Sequence, residues 1–185
     1  MIENPESMKS ILFIIFSLSS FLAHSSLFAQ GDPVAAYINQ YQDLAIREMH
    51  RTGIPASIKL AQAILESDAG RSDLARGANN HFGIKCGEGW SGPTYDKKDD
   101  EGGFLGIGRK KSCFRQYSTP YDSFHDHSEF LRNRERYAFL FDIKPGKYKK
   151  WAKGLKKAGY ATSNRYPKRL IDLIERYNLD RLDSI

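Results

Sequence analysis

One glutamate stands out among the residues whose side chains could do chemistry. Glu66 lies near the end of an apolar stretch, residues 54–72, in which apolar side chains cover most of the helical circumference. Pro55 suits a first helical position and Gly70 suits a helix end, so the stretch is predicted to form a buried helix. Burial raises the pKa of a carboxyl group, as a general acid near neutral pH requires. The alternative is a glutamate that merely faces water at a helix end.

Further carboxylates lie in a polar run between two short strand-like segments, residues 82–86 and 113–117. We predict a small β-hairpin or three-stranded lobe here, with Asp99, Asp100 and Glu101 near its tip. Hydrolysis of an acetal needs a protonated acid and a second carboxylate that activates water or stabilises the cation. A cleft between this lobe and the Glu66 helix would therefore suit a glycosidase.

The elements that must position these groups are mostly helices. Asp32 and Pro33 can start a first helix that runs to Gly53, and Ser72 can cap a short turn. The remaining expected helices begin at Thr119-Pro120, span residues 137–141 and 148–159, and follow Pro167. The lysines on the 148–159 helix form a solvated face or hold an anionic polymer.

A histidine pair in the helix after Thr119 raises the question of a metal site. His125 and His127 are two residues apart, so on a helix they point in nearly opposite directions and cannot share an ion. We expect core or surface histidines here, no metal ion and no cofactor.

The first 30 residues carry the pattern of a secretory signal peptide. An apolar segment, residues 11–22, follows Lys9 and precedes small residues that suit cleavage. No cysteine follows it as a lipid anchor would need, so we expect no stable membrane anchor and a periplasmic or secreted protein. Residues 31–185 are expected to form one domain, and the net charge of +6 favours anionic partners such as cell-wall polymer.

Two cysteines, Cys86 and Cys113, remain in the exported part. A disulfide is the default outside the cytoplasm, and it would fasten the base of the lobe. A nucleophilic cysteine paired with a histidine is the alternative.

Several separate motifs, in the same order, resemble the glucosaminidase family (glycoside hydrolase family 73), as found in the C-terminal half of flagellar peptidoglycan hydrolases. The similarity covers roughly residues 35–178. Its motifs are residues 63–67, 70–75, 79–85, 90–92, 114–117, 123–127 and 158–162.

This resemblance implies a mostly helical α+β, lysozyme-like fold and cleavage of the β-1,4 bond after N-acetylglucosamine in peptidoglycan. Glu66 matches the general acid, and Tyr160 matches a tyrosine that lines the cleft and assists catalysis. Glu101 is the first choice for the second carboxylate, with Asp100 next and Asp99 beside them. The remaining substrate-binding candidates are Asn80 and Phe82, which would shape a subsite, and Trp90, which would stack on a sugar or belong to the core.

Other functions remain open at this point. A muramidase or lytic transglycosylase would cut the alternate glycosidic bond on the same fold, and a non-catalytic murein-binding module would bind without cutting. A nucleic-acid binder is disfavoured by export and by the acidic loop. The expected partner is the peptidoglycan glycan strand, bound by a monomer.

Overall fold

The computed structural model describes residues 31–98, 111–144 and 146–185. The chain forms two units, Met1–Ala36 and Tyr37–Ile185. In the described part of the first unit, the carboxylate of Asp32 accepts a hydrogen bond of 2.8 Å from the backbone N–H of Val34, as expected for a helix start. The predicted signal peptide lies outside the described residues and stays a prediction.

The unit Tyr37–Ile185 is mostly helical with a small antiparallel sheet, which confirms the predicted fold class. The α-helices are α1 (Pro33–Thr52), α2 (Ala56–Ser67), α3 (Asp73–Ala78), α4 (Pro120–Arg132), α5 (Tyr148–Lys157) and α6 (Tyr166–Arg176). Two strands, β1 (Thr94–Lys98) and β2 (Lys111–Arg115), and two 3₁₀ helices, Glu135–Asp142 and Leu179–Ser184, complete the described elements. No helix in the described ranges is long and apolar enough to cross a membrane.

Helix α2 is the central element of the core. Ten of its twelve residues are buried, and it packs against α5, α6 and the C-terminal 3₁₀ helix. Its first turn is capped from far along the chain, because the backbone N–H and the hydroxyl of Ser57 donate to Asp183 at 2.8 and 2.7 Å. A carboxylate at this end also interacts favourably with the helix dipole. The buried helix predicted from sequence is therefore confirmed.

The end of α2 differs from the prediction. The left-handed backbone starts at Asp68 and continues through Ala69 before it reaches Gly70, with φ angles of 51°, 51° and 78°. The N–H of Ala69 donates to the carbonyl of Ile64 at 2.9 Å, and the N–H of Gly70 donates to the hydroxyl of Ser67 at 2.8 Å. These hydrogen bonds end the helix with its C-cap at Asp68, two residues before Gly70, where the sequence predicted the end.

The sheet pairs different segments from those predicted. Strand β1 pairs with β2 from Thr94 opposite Arg115 to Lys98 opposite Lys111, whereas the predicted strand at residues 82–86 contributes one bridge, Lys85 to Phe114. The segment at 82–86 is held as a loop by a buried asparagine, described below. The polar sequence of β1 gave little strand signal.

Two further differences concern the helical part. The apolar segment at residues 137–141 lies in a 3₁₀ helix, Glu135–Asp142, and not in an α-helix. The C-terminal 3₁₀ helix, Leu179–Ser184, was not predicted, although Leu179 and Leu182 are both buried. The helix start predicted at Thr119-Pro120 is confirmed, and Asp122 completes a capping box with Thr119.

Candidate active site

Glu66 lies in the last turn of α2 and faces an open cleft. It is the exposed residue of an otherwise buried helix, and its neighbour Leu65 is partly exposed. The predicted alternatives, a carboxyl with a raised pKa and a carboxyl that faces water at a helix end, thus both describe part of what is seen. The helix is buried, and the carboxyl is presented to the cleft at the point where the helix ends.

The cleft has a volume of about 980 Å³. Its walls come from the end of α2, the loop after α3, the end of α4 with the following 3₁₀ helix, and the segment between α5 and α6. The polar and aromatic residues that line it include Glu66, Phe82, Tyr137, Tyr160, Tyr166 and Arg169. A cleft of this size can hold a drug-sized ligand or several sugar units.

The surroundings of Glu66 favour its protonated form. Desolvation by nearby protein atoms raises the pKa of the carboxyl, while a hydrogen bond from the Tyr166 hydroxyl and the positive charge of Arg169 act in the opposite direction. Tyr166 is held in place by Gln62, one turn earlier on α2, whose side-chain amide donates to the tyrosine hydroxyl at 3.0 Å. The net result is a carboxyl with a raised pKa in an accessible position, as a general acid needs.

Tyr160 lines the same cleft, so the structure brings it together with Glu66. Helix α5 ends at Lys157 and is followed by Gly159, whose φ is 76°. The N–H groups of Gly159 and Tyr160 donate to the carbonyls of Lys156 and Leu155 at 3.0 Å each. This is a Schellman motif, and it places the tyrosine directly after the helix. The ammonium of Lys156 then donates to the carbonyls of Ala161 and Thr162.

The ring of Tyr160 stacks on that of Tyr166, with centroids 5.6 Å apart. Its hydroxyl lies 3.1 Å from Nε2 of His127. Desolvation, together with Tyr166 and Glu66, raises the pKa of Tyr160 well above its ordinary value. Tyr160 is therefore a neutral phenol at physiological pH and can act as a hydrogen-bond donor.

The predicted subsite residues fall into two groups. Phe82 lines the cleft and stacks on His127 at a centroid distance of 3.9 Å. Asn80 is buried and does not line it; its amide donates to the carbonyls of Ile84 and Arg115 at 3.0 and 2.8 Å and accepts from the N–H of Ile84. Asn80 thus holds the loop that forms the cleft wall, and a direct contact with substrate stays a prediction.

Trp90 is not among the described residues that line the cleft. Its indole N–H donates to the carbonyl of Pro93 at 3.0 Å, and the guanidinium of Arg115 lies 4.5 Å from the ring centroid. The disulfide between Cys86 and Cys113 is confirmed, with Cα atoms 5.5 Å apart, and it joins the cleft loop to β2. The carboxylates Asp99, Asp100 and Glu101 lie outside the described residues.

Sequence reasoning missed several residues of the cleft. Tyr166 and Arg169 belong to one face of α6, and Tyr137 comes from the 3₁₀ helix. Gln62, which lies four residues before Glu66 and therefore on the same face of α2, could have been recognised from its spacing, but its partner Tyr166 could not. The other two depend on how distant elements pack, and the sequence carries no local signal for that.

Comparisons with known proteins give matches both in sequence and in fold. The sequence profile of the glucosaminidase family, described as mannosyl-glycoprotein endo-beta-N-acetylglucosaminidase, matches residues 42–179. Exo-glucosaminidase LytG of Bacillus subtilis is 39% identical over 137 residues, which cover 70% of this chain and 46% of that protein. Peptidoglycan hydrolase FlgJ of Pseudomonas aeruginosa is 31% identical over 152 residues, which cover 80% of this chain and 37% of that protein.

Among solved structures, the glycoside hydrolase domain of FlgJ from Salmonella typhimurium superposes with a TM-score of 0.65 at 26% identity, covering 78% of this chain and 88% of that one. This chain spans less than half the length of the two relatives named above. The profile match extends over most of the chain and includes Glu66, Phe82 and Tyr160. On this basis the chain belongs to the glucosaminidase family of glycoside hydrolases.

Proposed function

We propose that this protein is an exported peptidoglycan hydrolase that cleaves the β-1,4 bond after N-acetylglucosamine, with Glu66 as its general acid. The observation that carries this proposal is the meeting of Glu66 and Tyr160 in one open cleft, on a chain of the glucosaminidase family. Relatives named as peptidoglycan hydrolases and as an exo-glucosaminidase support the choice of substrate.

Glu66 would protonate the glycosidic oxygen of the leaving sugar. A protonated carboxyl is favoured by desolvation, and the hydrogen bond from Tyr166 fixes its orientation. Because protonation must occur as the bond breaks, an acid whose pKa is raised toward the working pH is the more effective one. Because Glu66 loses its proton above its pKa and can then no longer act as an acid, activity should fall as the pH increases through that pKa.

A second carboxylate would activate water or stabilise the developing cation. We assign this role to Glu101, with Asp100 as the next choice, on the sequence resemblance alone. Tyr160, stacked on the Tyr166 ring beside Glu66, would assist as a neutral hydrogen-bond donor. The variants Glu101→Gln and Asp100→Asn, compared on one substrate, should separate the two candidates, and the one that acts in the reaction should lose about 10²-fold or more in kcat.

The charge of the cleft suits an anionic polymer. Arg134, Arg136 and Arg169 line it, and Glu66 is the only carboxylate among its described lining residues. The stem peptides of peptidoglycan carry carboxylates, so a positive cleft would attract peptide-bearing glycan strands. We therefore expect binding to weaken as salt is added, and we place the protein in the periplasm or outside the cell, in line with its predicted signal peptide.

The test is digestion of purified peptidoglycan by the wild type and by Glu66→Gln. The wild type should release soluble fragments, and the variant should release essentially none while keeping its melting temperature. Asp68→Asn is a matched control, because Asp68 is an exposed carboxylate two residues away with a left-handed backbone that asparagine tolerates. Full activity in Glu66→Gln would remove the acid from the mechanism.

Mass spectrometry of the fragments separates the remaining alternatives. N-acetylglucosamine at the new reducing end supports the proposal, and N-acetylmuramic acid there indicates a muramidase. Anhydro-muramic ends indicate a lytic transglycosylase, and binding without fragments indicates a murein-binding module. Single sugars released from chain ends would instead show the exo action for which the Bacillus relative is named.

A further inference from the structure

A buried cluster of polar side chains lies directly behind the cleft, beside Tyr160. Its centre is Lys59 of α2, whose side chain is fully buried. The Nζ atom of Lys59 lies 2.8 Å from Nδ1 of His127, 2.7 Å from Oγ of Ser128 and 3.4 Å from the carbonyl oxygen of Phe124. An ammonium group has three N–H donors and no acceptor, so these three neighbours match its donors one for one.

The charge of this ammonium is balanced nearby. Glu48 of α1 is also buried, and its attraction raises the pKa of Lys59, as does that of Glu129. Burial and Arg51 act in the opposite direction, and burial is the largest effect, so the pKa of Lys59 falls to about 7. At a mildly acidic pH the lysine is therefore charged. The ring of Phe82, 5.3 Å from Nζ, adds a cation–π contact.

His127 connects the lysine to the cleft. The imidazole is fully buried and stacks parallel to the rings of Phe82 and Phe130, at interplanar angles of 6° in both cases. Desolvation and the charge of Lys59 lower its pKa well below the ordinary value, so the ring is neutral. A neutral imidazole carries one N–H, and its Nδ1 must accept from the ammonium, which leaves the hydrogen on Nε2.

The hydrogen on Nε2 points to the oxygen of Tyr160, 3.1 Å away. Because that oxygen accepts from His127, the tyrosine's own hydrogen cannot be directed back along the same line. We propose that Lys59 and His127 are positioning residues that fix the Tyr160 hydroxyl as a hydrogen-bond donor facing the cleft, where the glycan binds. This inference rests on the proposed function, in which Tyr160 assists the hydrolysis.

The first test measures the proton position directly and needs no activity. In ¹⁵N-histidine-labelled wild-type protein at about pH 6, the signals of His127 are assigned by their loss in His127→Phe. We expect a neutral ring with the hydrogen on Nε2 and a bare Nδ1. A hydrogen on Nδ1, or a doubly protonated ring, would overturn the proposal. If His127→Phe does not fold, a long-range coupling experiment can assign the ring instead.

The second test asks whether both residues act through the tyrosine hydroxyl. Lys59→Met and His127→Phe should each lower kcat on peptidoglycan fragments by about 10- to 100-fold, the range seen when an orienting partner of a metal-bound histidine is lost. In a Tyr160→Phe background neither change should lower kcat further, since the hydroxyl that they orient is already gone. Losses that multiply in that background would show a merely structural role and overturn the proposal.

Failure of this inference can be told apart from failure of the proposed function. Glu66→Gln is assayed on the same fragments: residual activity there refutes the general acid, whatever His127 does. If Glu66→Gln is inactive, and Lys59→Met or His127→Phe still lowers kcat in the Tyr160→Phe background, only the positioning role is refuted. Melting temperatures of all variants exclude unfolding as the cause, and the tautomer measurement remains decisive if Lys59→Met and His127→Phe are both unstable.

Discussion

Replacing Lys59 by methionine should change how the stability of the protein depends on pH. Burial lowers the pKa of this lysine from 10.5 to about 7, against the attraction of Glu48 and Glu129. Between these two values the unfolded chain holds a proton on the lysine that the folded protein does not. Since the unfolded state then binds more protons, the free energy of unfolding of the wild type should rise with pH across this window.

The expected size follows from the shift. One pKa unit corresponds to about 1.4 kcal/mol, so a drop from 10.5 to about 7 amounts to about 5 kcal/mol over the whole window. Between about pH 7 and pH 9, the range that is convenient to measure, the gain should be about 2–3 kcal/mol. Lys59 is fully buried, so solvent does not screen this effect.

The assay is urea unfolding of wild type and Lys59→Met at matched pH values, with the disulfide intact. The difference between the two free energies of unfolding isolates the lysine, because groups far from it contribute equally to both proteins. His127 and Glu48 also interact electrostatically with Lys59. The pKa of each is lowered from its ordinary value, so neither group titrates between about pH 7 and pH 9.

Lys168→Met is the matched control, since Lys168 is an exposed lysine whose partner is Asp172, also exposed to a large degree. Its difference from the wild type should show no comparable slope over the same window. A flat difference for Lys59→Met would refute the reasoning, because it would mean that Lys59 keeps its proton throughout and that burial has not lowered its pKa.

Three further predictions concern other parts of the molecule. Replacing Cys86 and Cys113 together by alanine should lower the free energy of unfolding by about 3–4 kcal/mol, measured by urea titration, and an unchanged value would contradict the chain-entropy account. Tyr137→Phe should leave the free energy of unfolding unchanged or raise it by about 1 kcal/mol, because the buried Tyr137 hydroxyl has no hydrogen-bond partner among the described residues. Tyr117→Phe is the comparison: it loses a 2.5 Å hydrogen bond to Asp126, so urea titration should show a lower free energy of unfolding. Gly159→Ala and Gly146→Ala should each cost about 1 kcal/mol in thermal unfolding, because both positions have positive φ and open space for a methyl group, but only Gly159→Ala should also reduce hydrolysis, since it displaces Tyr160. Equal activity losses in the two glycine variants would contradict that placement.

The helical part of the fold was readable from the sequence because its signals are local. The apolar run of α2, the capping box at Thr119 and the glycine after α5 each specify a helix or its end within a few residues. Glu66 was chosen as a candidate in the same way, since a lone carboxylate on an apolar helix is visible without any tertiary information.

What the sequence could not show depends on contacts between distant residues. In the sequence, nothing distinguishes Lys59 from an ordinary surface lysine. Only the packing of α4 against α2 brings His127 and Ser128 next to it. Strand β1 consists largely of polar residues, so local propensity does not predict its pairing with β2. The exposure of Glu66 likewise depends on how the distant segments that line the cleft pack around the end of α2.

The cap on α2 has a consequence for the order in which the cleft can assemble. The helix that bears Glu66 receives its N-terminal partner, Asp183, from 126 residues further along the chain than Ser57. Ribosomes make the chain from its N-terminus, so the Glu66 helix is synthesised long before its cap and before Tyr160 and Tyr166. A polypeptide that stops before Asp183 thus lacks the cap of the Glu66 helix, and one that stops before Tyr160 also lacks part of the cleft wall.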